Sequence, residues 1–168
     1  MSNQTLPLVE RLSFLTVRVG TLKTAEAMRQ ALRGANCRTS VLAGDMMNQP
    51  AFAAGIVQEE EDVNFVIAYN AKLGYPEVCT VTQTYEAARK RGWRTCEPPD
   101  AVYLRLATPD QPEGEGFFVA TDPPITDFDG YLRVFSVVHD SDGCWLGGDY
   151  GRPGHLWGGH YRWAFRCK

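Results

Sequence analysis

The sequence predicts a single α+β domain: an antiparallel C-terminal sheet of about four or five strands, with N-terminal helices packed on one of its faces. Three observations carry this. Helix caps and helical apolar spacing dominate before residue 95. Alternation of period two dominates after residue 100. No linker-like stretch separates the helix-rich half, 1–95, from the sheet half, 96–168, so residues 1–168 are expected to share one core.

Composition sets the bounds. The chain has 168 residues, 44 % hydrophobic and 22 % charged, which is the globular range. A chain this long buries roughly two-thirds of its unfolded surface, so folding needs neither a metal nor a disulfide. A net charge of −3 and the lack of a basic stripe argue against a nucleic-acid partner. The cluster Arg89, Lys90, Arg91 and Arg94 reads as a helix end, where cations suit the dipole. The five cysteines are odd in number and form no C-x-x-C pair, which predicts free thiols in a cytoplasmic protein. MSNQTLPLVERLSF has no charged-then-apolar leader pattern, and no apolar run approaches the ~18 residues of a membrane span.

Taken in order, FLTVRV at 14–19 predicts a short strand, ended by Gly20. Thr24 then caps a helix with Ala25, Met28, Ala31 and Leu32 on one face, and Gly34 is placed to end it. Ser40 caps a second short helix that stops near Pro50. Residues 51–58 read as loop or a further helical turn, and 59–62, EEED, as a solvated run. VNFVIAYN at 63–70 is nearly continuous in apolar residues, which predicts a strand covered on both faces. Thr80 and Gln83 have the spacing of a capping box, opening a helix that Gly92 closes. Beyond it AVYLRLA, GFFVATD, YLRVFSVV and YRWAFRC read as strands, joined at DQPEGE, TDFDG and DSDG.

The second half carries a pattern: Leu73-Gly74-Tyr75, the capped helix from Thr80 to Gly92, Cys96, Tyr103 to Leu106, and Gln111 to Glu115. Pro124 to Gly130, then Leu132, Val134, Phe135 and Val137, Trp145-Leu146, and W-x5-W-x-F from Trp157 to Phe165 continue it. In this order and spacing the last hundred or so residues resemble an uncharacterised bacterial protein family, with a fainter echo at 19–32. The resemblance implies a shared fold and no particular activity. Gly159-His160 departs from the acidic or Asn-type residue of that pattern.

Four groups of residues are candidates for chemistry. Asp127-Phe-Asp129-Gly130 and Asp140-Ser-Asp142-Gly143 have a calcium-like start but lack the further oxygen ligands, so they read as turns. His155 and His160, with Asp149 and Cys144 or Cys167, are zinc-type ligands in an irregular segment and read as loop residues; no metal or cofactor is expected. Glu115, Asp127 and Asp129 are candidate catalytic carboxylates should neighbouring strands bring them within ~5–9 Å. The aromatic set Trp145, Tyr150, Trp157 and Trp163, in a glycine-rich tail with His160, reads either as a satellite cluster or as the wall of a cleft. Arg105, set between Leu104 and Leu106 on an expected strand, faces away from the core, with Glu115 as cross-strand partner or an anion as ligand.

The expected function is therefore a non-enzymatic binding module. Its ligand residues are Arg105, Trp145, Tyr150, Trp157, His160 and Trp163, and its partner is a small molecule or a protein, a second copy in a homodimer included. Two alternatives stand beside it: a small hydrolase using the carboxylates near the DxDG turns, and a homo-oligomeric scaffold.

Overall fold

The computed structural model of the chain describes residues 12–167; most of the opening stretch read above for a leader pattern lies outside them. β3 (Glu61–Tyr69) buries Val63, Phe65 and Ile67 on one side and Val66 and Ala68 on the other. Successive strand residues point to opposite faces, so both faces need cover and the strand is central. It pairs antiparallel with β1 (Leu12–Val19) and with β10 (Arg162–Arg166). β10 runs parallel to β5 (Gly116–Val119), which pairs antiparallel with β7 (Leu132–Asp140). β7 forms a hairpin with β8 (Gly143–Tyr150), and β2 (Arg38–Thr39) lies parallel to β8 at the far edge.

With β6 (Ile125–Thr126) beside β7, the main sheet has eight strands, mostly antiparallel, against the four or five expected. The surplus comes from the first half of the chain. The last strand inserts between β3 and β5, and so joins β1 and β3 to the hairpin sheet. Such an order is set by long-range pairing, which local alternation does not encode. A separate two-stranded ribbon pairs β4 (Val78–Thr80) with β9 (Leu156–Gly158).

Helices cover both faces of the sheet, which corrects the expectation of one. The first face carries α1 (Ala25–Gly34), α2 (Val41–Met47), α3 (Pro50–Ala54) and α5 (Asp100–Ala107), packed on Phe65, Phe117, Phe135 and Leu146. The second face carries α4 (Val81–Lys90) and the β4–β9 ribbon, packed on Val66, Phe118, Trp163 and Phe165. The caps follow the sequence signals. Thr24 accepts from the Ala27 N–H, Ser40 from Ala43, and Thr80 with Gln83 completes a reciprocal box. After α1 the left-handed residue is Asn36 (φ 57°), not Gly34. After α4 it is Gly92 (φ 81°), as expected.

The expected strand 101–107 is α5. Every residue from Asp100 to Arg105 is buried, so the helix shows no polar stripe and its apolar spacing does not announce a helix. The signal lies upstream, in Glu97-Pro98-Pro99-Asp100, where prolines and an acid favour a helix start. This removes the cross-strand pairing of Arg105 with Glu115. Glu115 instead meets Arg162 at 3.4 Å. The Arg105 guanidinium is fully buried and donates to Gln111 Oε1 and to the carbonyls of Val138, Trp145 and Thr108. Burial lowers its pKa, since the charged form is the one that loses hydration. A buried ion pair fastens α5 to β10: Asp100 accepts from Arg166 Nε at 2.6 Å and from its Nη2 at 2.7 Å. Burial alone would lower the Arg166 pKa, but the Asp100 carboxylate outweighs it and leaves it raised.

Candidate functional site

On the second face, β5 and β7 bring Gly116 opposite Val138, and β7 and β8 bring Ser136 opposite Gly147. At both glycines the facing side chain closes over the backbone, so no larger residue fits without displacing it. A Cβ on Gly116 would stand 2.7 Å from Val138 Cγ1, and one on Gly147 would stand 2.7 Å from Ser136 Oγ. Beside Gly116 and Ser136 lies a hollow of about 460 Å³. Phe118 and Val138 give it apolar surface, and Ser136, Asp149, His160, Tyr161 and Arg162 give it polar groups. A concave site of a few hundred Å³ with few converging polar groups is the usual form of a small-molecule site.

Those polar groups are mostly uncommitted. Among the described residues Ser136 Oγ, the His160 ring and the Tyr161 hydroxyl have no hydrogen-bond partner within the chain. Asp149 accepts only the Tyr150 N–H, on Oδ1 at 2.8 Å, leaving its other oxygen open. Arg162 is the exception. It donates to the Gly116 carbonyl at 3.3 Å, meets Glu115, and lies 5.5 Å from the Tyr69 ring centre. It thereby bridges the mouths of the parallel strands β5 and β10.

Behind the hollow stands an aromatic wall. Phe118 is 4.4 Å from Trp157, 5.0 Å from Trp163 and 5.6 Å from Tyr161, centroid to centroid. Tyr85 of α4 adds an edge contact to Trp163 at 5.6 Å. Burial pushes the Tyr85 hydroxyl pKa well up, so it stays neutral and accepts the Thr121 N–H. The indole N–H groups of Trp157 and Trp163 are buried without an acceptor.

The structure brings three of the expected ligand residues together: Trp157 and Trp163 in the wall and His160 at the rim. Tyr150 is about half exposed and joins them only through His155, which stacks on it at 4.9 Å and meets Trp157 at 4.8 Å. Trp145 does not join. It lies inside β8, not beside a loop, with its indole N–H on Asp140 and the Arg38 guanidinium 5.5 Å from its ring. Arg105 serves α5 and the first face, as described. Sequence reading missed Ser136, a polar interruption of the apolar run VFSVV, and the glycine across from it. Asp149 was read only as a metal candidate. Among the described residues no three of His, Cys, Asp or Glu converge as a metal site would require.

The carboxylates expected to act together are apart. Glu115 receives the His139 N–H near one end of β7, and Asp127 donates its N–H to Tyr131 at the other. The eight steps from Tyr131 to His139 span about 26 Å at ~3.3 Å per residue, far beyond a glycosidase pair. Asp129 is exposed beside Asp127. Asp127 is occupied by Arg133 Nε at 2.9 Å and by the Tyr131 N–H. Burial would raise its pKa, but these two donors prevail and hold it below the usual carboxylate range. Its stabilisation is therefore complete above the unfolded value near pH ~4 and is lost as pH falls through the lower folded value. Asp127→Asn should be less stable than the wild type at neutral pH, with the gap closing below about pH 4. Urea melts across that range test this; a gap that persists at the acid end would mean the charge is not what stabilises.

Four of the five thiols are poorly suited to act as nucleophiles. Burial raises the pKa of Cys37, Cys79, Cys96 and Cys167, which disfavours the thiolate. No helix among the described residues is long and apolar enough to cross a membrane. No family model, curated protein or solved structure matches the chain.

Proposed function

We propose that the chain is a non-enzymatic binding module that holds a small polar molecule in the hollow on the second face. One observation carries this reading: the hollow beside Gly116 is lined by Ser136, Asp149, His160 and Tyr161, whose side-chain polar groups are largely without a partner among the described residues. Ser136 is only 6 % exposed, and its hydroxyl, without a partner among the described residues, opens onto the hollow. A ligand hydroxyl or amine would complete it, with Asp149 as the second acceptor and Phe118 as the apolar floor.

The reading is tested by intrinsic fluorescence, since Trp157 touches both Phe118 and Tyr161. A panel of neutral sugars, amines and small anions should give a saturable change for at least one class. Gly147→Ala should weaken that binding about tenfold, ~1.4 kcal/mol, by displacing the Ser136 hydroxyl while leaving the fold intact. Silence across the panel, with binding also absent by calorimetry, would end the proposal.

A further inference from the structure

Two residues at the rim of the hollow, His160 and Tyr161, begin a row of planar side chains that touch one another, with Trp157 buried at its middle. From His160 the contacts run to Tyr161 at 4.3 Å, Trp157 at 4.8 Å, His155 at 4.8 Å and Tyr150 at 4.9 Å. They continue to the Arg133 guanidinium, 5.0 Å from the Tyr150 ring and 5.6 Å from that of Tyr131. Tyr131 and Tyr150 are 60 % and 48 % exposed, so the far end of the row is open to solvent. Arg133 is held between the two rings by buried Asp127, which fixes the pair of tyrosines before any ligand arrives.

We infer that the ligand is a neutral oligosaccharide, with one unit seated in the hollow and the following units laid along this row. The inference rests on the binding reading above and names its ligand. Three features select the class. A pyranose ring has an apolar face of C–H bonds and a rim of hydroxyls. The C–H face matches the electron-rich face of an aromatic ring, and the rim matches Ser136, Asp149, His160 and the tyrosine hydroxyls. Charge argues for neutrality: Arg133 and Arg162 are each bound to a carboxylate, and Asp149 is the hollow's unpaired charge, which repels a polyanion. An extended peptide is the weaker fit, because β7 and β8 already spend their facing backbone groups on each other and leave no ladder there for an added strand.

The experiment is a fluorescence titration with neutral linear oligosaccharides, from mono- to hexasaccharide, on the wild type, Tyr150→Ala, Tyr131→Ala and His160→Ala. Wild-type affinity should rise at least tenfold with length. Tyr150→Ala and Tyr131→Ala should abolish that rise and leave monosaccharide binding unchanged; His160→Ala should weaken every length. Both tyrosines are exposed, so these variants keep the fold. Monosaccharide binding with no gain from length overturns the extended-chain inference and leaves the hollow as a binding site. Binding of a peptide or a single-stranded oligonucleotide that depends on Tyr150, with no sugar bound, overturns the ligand class. No binding of any probe removes both proposals.

Discussion

Asp100→Ala is expected to cost about 3–5 kcal/mol, a large fraction of the ~5–15 kcal/mol that holds a domain together. Asp100 and Arg166 are both about 95 % buried or more, and their two hydrogen bonds are 2.6 and 2.7 Å. Deleting the carboxylate strands a guanidinium where hydration cannot replace it. It also frees the Glu97 N–H, which Asp100 Oδ2 accepts at the start of α5. Arg166→Ala should cost a similar amount by leaving the carboxylate uncompensated. The double replacement Asp100→Leu with Arg166→Met should lie nearer the wild type than either single variant, because a well-packed apolar pair avoids the desolvation that the ions suffer. Urea midpoints of the four proteins close the cycle. Additive losses would show that the two side chains do not act as a pair.

The same helix shows why part of the fold was hidden in the sequence. α4 was legible because one face is apolar, Thr80 and Gln83 cap it, and Gly92 ends it. β3 was legible because burial on both sides leaves a continuous apolar run. α5 was not, since burial all round erases the periodicity that separates a helix from a strand. β8 was absent from the expected strands because its glycines interrupt the alternation that marks a strand, whereas Gly147 lets the Ser136 side chain approach its backbone. The position of β10 between β3 and β5 depends on pairings such as Trp163 with Ala68 and Trp163 with Phe118, residues far apart in the chain, and no local pattern encodes it. Trp157, Trp163 and His160 could be grouped from their common segment. Trp145 could not be excluded from that group until its strand and its bond to Asp140 were known.

Trp163→Ala is expected to cost about 3–5 kcal/mol and to remove ligand binding as well. The ring is fully buried at the centre of the second-face core, among Tyr85, Phe118 and Trp157. Removing it opens a cavity that these neighbours fill only in part, and Phe118, the floor of the hollow, loses its support. Trp163→Phe should be much milder, roughly 1–2 kcal/mol, for two reasons. It retains a ring for Tyr85 and Phe118 to meet. It also deletes an indole N–H that has no acceptor, so a lost volume is partly offset by a removed desolvation cost. The contrast separates packing from polarity: urea denaturation should place the phenylalanine variant near the wild type, with ligand binding retained. If phenylalanine proves as damaging as alanine in both measurements, the indole N–H must be satisfied in solution. The wall behind the hollow would then depend on a hydrogen bond rather than on the stacked rings.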